Sequence, residues 1–144
     1  MIQNNCSRDS ILSTPEMREK YDTEYPAYIP DPEISGQLKT LLENVQTTIV
    51  MGTWCSDSRL QVSRFFKITD SAGIAEDSIQ LICVDETKRT DEGLTDLLNI
   101  VSVPTFIFME DDQETGRIIE SPESTLENDM IELLTKKITA CQQH

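Results

Sequence analysis

A cysteine directly after a tryptophan, continued by Ser-Asp-Ser to give Trp54-Cys55-Ser56-Asp57-Ser58, is the strongest chemical signal in this chain. The stretch follows the short apolar run Thr48-Ile49-Val50-Met51 and precedes a helical pattern, so Cys55 is expected at a strand-to-helix junction. A thiol there faces the positive end of the helix dipole and unsatisfied backbone N–H groups. Both favour the thiolate, the form that attacks disulfides. Ser58, one helical turn on, is placed to donate a hydrogen bond to that sulfur. Asp57 acts in two directions: as a first-turn acid it stabilises the helix, while its charge beside the sulfur opposes ionisation, an effect Arg59 offsets. The competing reading is packing, because cysteine is among the most buried residue types.

The remaining chemistry-bearing residues are sparse. Cysteines at 6, 55, 83 and 141 have no metal-ligand spacing, and the single histidine is the last residue, His144, so neither a zinc site nor a bound cofactor is expected. Cys83 falls within a strand pattern and Cys141 in phase with an apolar helix face; both read as core. Cys6 is the candidate for an unconventional resolving partner of Cys55. All four are expected as free thiols in a reducing compartment.

The 144 residues suit one folding unit with a genuine core, and 38% hydrophobic with 26% charged residues belongs to a soluble globular protein. No run approaches the roughly 20 apolar residues that cross a bilayer, and Met1-Ile2-Gln3-Asn4-Asn5 lacks the regions of a secretory signal, so a cytoplasmic location is expected. A net charge of -14 argues against nucleic acid and anionic membranes as partners and favours a monomer. It also steers the chain away from anionic thiols such as glutathione.

The elements that must position Cys55 can be read from periodicity. Residues 1–30 read as an extension lying on a domain of residues 31–144, with a short helix over Pro15–Tyr21 and an extended or turning Tyr25-Pro26-Ala27-Tyr28-Ile29-Pro30. Tyr21, Tyr25 and Tyr28 would anchor that extension by packing or line a groove for a partner. Asp31-Pro32-Glu33 gives cap, proline and first-turn acid in the order that starts a helix over 32–45. A strand over 47–51, a helix over 56–69, a strand over 79–84 and a helix over 91–99 follow. Thr105–Met109 and Gly116–Glu120, joined by the acidic turn 110–114, predict an antiparallel hairpin. A last helix follows Ser121-Pro122, with Ser124 and Glu127 in capping-box spacing.

In order these elements read β-α-β-α-β-β-α, an α/β chain with a central mixed four-stranded sheet flanked by helices and an amino-terminal helical extension. With Trp54-Cys55 ending the first core strand and Val103-Pro104-Thr105 opening the third, residues 45–141 resemble the thioredoxin superfamily. The resemblance implies a cis proline at Pro104 packed against Cys55, and a backbone edge at Val103 and Thr105 on which a substrate peptide can pair. It also implies that Trp54 covers one side of the active-site turn. Three departures matter. Where thioredoxins have Cys-Gly-Pro-Cys, Cys55-Ser56-Asp57-Ser58 replaces the resolving thiol by a hydroxyl, which removes the intramolecular dithiol cycle. The family's strand acid and lysine, which help move protons, are replaced by Ile49 and Leu81.

The expectation is therefore a monothiol redox protein: Cys55 the nucleophile, Ser58 its hydrogen-bond partner, protein thiols or disulfides the substrates, and an external thiol the resolving agent. The alternative is a non-catalytic binding or chaperone-like module using the groove beside Pro104. Glutathione-dependent chemistry also tolerates Cys-x-x-Ser, but Arg59, Lys88 and Arg89 are the only nearby cations for its carboxylates.

Overall fold

Apolar residues alternate between two faces in each central strand, which is why a sheet forms here with cover on both sides. The computed structural model describes residues 4–85 and 98–142, without the side chains of 4–5 and 136–142. Its strands are β1 (Asn4–Cys6), β2 (Gln46–Met51), β3 (Ile79–Cys83), β4 (Thr105–Glu110) and β5 (Gln113–Ile119). Its helices are α1 (Arg8–Leu12), α2 (Pro15–Ala27), α3 (Pro32–Leu41), α4 (Ser56–Ala72) and α5 (Leu126–Gln142). No helix among the described residues is long and apolar enough to cross a membrane.

The sheet order is β1-β3-β2-β4-β5. Strands β2 and β3 run parallel across the α4 crossover, whereas β4 is antiparallel to β2 and β5 to β4. The expected four-stranded mixed sheet is therefore present. A fifth strand, β1, adds to it antiparallel on β3, with Asn4 opposite Cys83 and Cys6 opposite Leu81. Three residues of mixed polarity carry no strand periodicity, so β1 had no signal of its own.

Ile49, Met51, Leu81, Cys83, Phe106 and Phe108 face one layer, where they pack with Leu38 of α3, Val62, Phe65 and Phe66 of α4, and Leu126 and Met130 of α5. Val50, Ile82, Val84 and Val103 face the other side, joined by Trp54, Cys55, Leu98 and Ile100. The helix predicted over 91–99 lies outside the described residues except for its last two positions.

Local chemistry sets the boundaries. Asp31 caps α3 as expected, its carboxylate accepting the Glu33 N–H at 2.9 Å. Helix α3 stops at Leu41, short of the predicted residue 45, while Val45 stays buried. Helix α4 runs three residues past its predicted end, to Ala72, and Gly73, with a φ of 72°, closes it in the left-handed conformation. The turn between β4 and β5 is only Asp111-Asp112, with φ of 53° and 65°, so both hairpin strands are longer than expected.

Two expectations are corrected. Helix α2 continues through Tyr25 and Pro26 to Ala27 instead of turning extended, because Tyr21 and Tyr25 stack at 4.8 Å and Tyr25 is tied to Asp70 of α4, contacts that offset the backbone hydrogen bond Pro26 cannot make. The capping box at Ser124 and Glu127 is not used. Thr125 accepts the Asn128 N–H at 3.1 Å, and Glu127 turns inward to receive the Tyr28 hydroxyl at 2.5 Å.

Candidate functional site

The strand β2 ends at Met51, and the chain must turn within four residues to start α4. The Cys55 N–H closes that turn on the Gly52 carbonyl at 3.0 Å, and the Cys55 carbonyl accepts the Arg59 N–H as the first helical bond. Cys55 is therefore the N-cap of the 17-residue α4, in extended backbone conformation. Gly52 is required here, because a Cβ at that position would run into the Trp54 indole. The indole is fixed by its N–H, which donates to the Val84 carbonyl at 2.9 Å. Trp54 thus walls one side of the turn and links it to the end of β3.

Cys55 is partly exposed and not disulfide-bonded. Its sulfur makes no cap bond with the first-turn amides. The thiol instead donates to the Val103 carbonyl at 3.7 Å. The Val103–Pro104 peptide bond is cis, both residues are buried, and the Pro104 carbonyl accepts the Glu120 N–H at 2.7 Å. Thr105 is buried, with its hydroxyl on the Ser102 carbonyl at 2.6 Å. Cys55, Trp54, Val103 and Pro104 therefore come together as one site, with Thr105 behind it in β4.

Ser58 does not partner the sulfur. It is fully buried, and its Oγ accepts the Gly52 N–H at 3.2 Å, so the expected Ser58–Cys55 hydrogen bond is replaced by one that braces the turn from beneath. Ser56 and Asp57 are exposed at the start of α4. The Arg59 guanidinium bends back to donate to the Thr53 carbonyl at 3.0 Å. It is thereby engaged by the turn itself, and Lys88 and Arg89 lie outside the described residues.

Two arrangements had no precedent in the sequence reading. A cleft of about 410 Å³ opens beside the turn, lined by Thr14, Pro15, Glu16, Thr53, Trp54 and Arg59. Its far wall is the start of α2, a helix expected at Pro15 but with no signal for where it packs. Cys6 and Cys83, expected as free thiols, are joined in a disulfide with Cα atoms 6.2 Å apart. The β1–β3 register brings them together on the face opposite Cys55, which also removes Cys6 as a resolving partner for Cys55.

The resemblance put an acid and a lysine of the thioredoxins where Ile49 and Leu81 stand. These two are direct neighbours across the parallel β2–β3 pair and are buried. Both positions are apolar in this chain.

No family model matches the chain, and no curated protein matches it. Solved structures do. A Pseudomonas aeruginosa protein of unknown function is 13% identical, with 95% of this chain and 83% of that one covered and a TM-score of 0.56. Thioredoxin-2 of the malaria parasite, described as a component of its protein secretion machinery, is 25% identical over 65% of this chain and 82% of its own, with a TM-score of 0.47. Fasciola hepatica thioredoxin is 17% identical over 72% and 93%, with a TM-score of 0.46. The Pseudomonas aeruginosa protein shares the overall fold described above, a mixed sheet with flanking helices.

Proposed function

We propose that this chain, with its thioredoxin-like fold, is a monothiol thiol-disulfide exchange protein in which Cys55 is the nucleophile. The observation that carries this reading is a partly exposed, unpaired sulfur at the N-terminus of a long helix, held 3.7 Å from the carbonyl of the residue before a cis proline. Ionisation converts the sulfur to an acceptor only, which ends its bond to the Val103 carbonyl and turns it toward the free amides of α4. The thiolate attacks one sulfur of a substrate disulfide, forms a mixed disulfide with it, and expels the other sulfur as a thiolate that takes up a proton.

Ser58 cannot attack that mixed disulfide, so release requires an external thiol: the external sulfur bonds to the substrate sulfur and Cys55 leaves as thiolate. Ser58 acts as a positioning residue, bracing Gly52 and through it the turn. Substrates are protein thiols and disulfides, seated between Trp54 and the Val103–Pro104 segment, with Thr105 supporting it from β4 and Val101, 71% exposed, and Ile119, 44% exposed, offering apolar contact. The protein acts as a monomer in the cytoplasm.

Buried Ile49 and Leu81 favour a second reading, a binding module that uses the same groove without turnover. An aromatic disulfide that releases a coloured thiolate separates the two. Under this proposal, stoichiometric release occurs in the wild type, is lost in Cys55→Ser, and becomes multiple-turnover when a small thiol is added. Release unaffected by Cys55→Ser would overturn it, and absence of release in the wild type would leave the binding reading.

A further inference from the structure

The two sulfurs of the Cys6–Cys83 bond have very different surroundings. Cys83 ends β3 with no solvent exposure, within the main core. Cys6 ends β1, is partly exposed, and lines a cavity of about 230 Å³ together with Arg8, Phe66, Glu76, Asp77 and Leu81. Cys55 packs with the cluster on the other face of the sheet, so exchange between the two sites inside one molecule is blocked by the sheet.

We propose that Cys6–Cys83 is a second redox site, independent of Cys55, at which small neutral or cationic thiols react at Cys6 and thereby release the amino-terminal strand. A thiolate entering the cavity bonds to the Cys6 sulfur. The Cys6–Cys83 bond breaks, and its electron pair leaves on the Cys83 sulfur, which takes a proton and stays in the core. A second thiol then attacks the mixed disulfide and frees Cys6. In total two small thiols are oxidised to one disulfide while the protein's cystine is reduced to two thiols. Attack on Cys83 is excluded by its burial.

Charge selects the thiol. The Arg8 guanidinium at the cavity is already shared between Asp70, at 2.7 Å, and Glu76, at 3.1 Å, and Asp77 adds a further carboxylate. Asp70, Glu76 and Asp77 outnumber Arg8 and the nearby Lys67, which disfavours an anionic thiol and favours a cationic one, an effect that salt screens.

The same Arg8 sets how far the release extends. Besides its two carboxylates it donates to the Tyr21 hydroxyl at 2.6 Å and lies 4.4 Å above the Phe66 ring. Residues from Arg8 onward are therefore held whether or not the disulfide is intact. Among the described residues, strand β1 is held by three residue pairs and the bond itself, so reduction frees Asn4–Cys6 and leaves β3 as the sheet edge.

The test uses full-length, air-oxidised Cys55→Ser protein treated with cysteamine or with glutathione at equal thiolate concentration and low salt. Peptide mass mapping is expected to show the Cys6–Cys83 link beforehand, then an adduct on Cys6 with Cys83 free, formed at least threefold faster by cysteamine. Hydrogen exchange of the Asn4–Cys6 amides is expected to rise at least tenfold on full reduction, with Arg8–Leu12 unchanged. Cys6→Ser, which keeps Cys83 in the core, is expected to exchange like the reduced protein. An unlinked Cys6 and Cys83 after air oxidation, an adduct on Cys83, an equal or faster reaction with glutathione, or unchanged exchange on reduction would each overturn the proposal.

Discussion

The position that decides the chemistry is 58, where a hydroxyl stands one helical turn after the reactive sulfur. Ser58 is buried under the turn and spends its Oγ on the Gly52 N–H. Its Cβ nevertheless occupies the N3 position above an N-cap cysteine, within the separation a disulfide spans. Ser58→Cys is therefore expected to form an intramolecular bond with Cys55 and to make release of a mixed disulfide independent of added thiol. Loss of the Gly52 hydrogen bond is expected to destabilise the reduced variant by about 1 kcal/mol. Non-reducing mass mapping and single-turnover kinetics check both. The place of Trp54-Cys55 at a strand-to-helix junction could be read from the residues themselves, whereas the partnership with Pro104 came with the resemblance. The direction of the Ser58 side chain could not, since spacing places a residue on a turn without saying which donor it meets.

At the level of elements, α1 and α2 are fixed to α4 by a cluster centred on Asp70. Its carboxylate receives the Arg8 guanidinium, at 2.7 Å, and the Tyr25 hydroxyl, at 2.5 Å. Burial pushes the Asp70 carboxyl up, but those hydrogen bonds and the Arg8 charge outweigh it and leave its pKa below the ordinary value. Burial, followed by the bond to Asp70, pushes the Tyr25 hydroxyl up to about 12 from 10.0. The two signs are opposite. The contribution of Asp70 is complete above the usual carboxylate range and is lost as pH falls through its depressed value, whereas that of Tyr25 is complete below pH 10.0 and is lost as pH rises toward about 12. Denaturant unfolding across pH is expected to show both losses. Asp70→Asn flattens the acid limb and costs about 2 kcal/mol at neutral pH, and Tyr25→Phe flattens the alkaline limb. An acid slope remains in Asp70→Asn, because Arg117 holds Glu114 low as well. The core elements were legible because apolar period and caps agree over long stretches. The length of α2 and the existence of β1 were not, since both depend on partners far along the chain: α2 on α4, and β1 on β3.

Over the whole molecule, the net charge of -14 acts on every approaching partner. Basic disulfide peptides are expected to react with Cys55 faster than acidic ones of the same length, by about tenfold at low salt, and the ratio is expected to shrink toward unity near 1 M salt as the field is screened. Stopped-flow rates against ionic strength measure this. A ratio independent of salt would assign selectivity to contacts at the groove instead. Composition made the charge evident at once, but not its distribution. Arg59, the cation nearest the thiol in sequence, is held by the Thr53 carbonyl, which fixes its positive charge at the turn beside the exposed Asp57.

All of this turns on whether the Cys55 sulfur is a nucleophile at neutral pH. The most direct measurement is its alkylation rate by iodoacetamide in the folded protein between pH 5 and 9, with Cys55→Ser as the blank. A rate at pH 7 well above that of free glutathione under the same conditions is the predicted result. A rate below that of free glutathione would contradict the account and leave a fold that binds without exchanging.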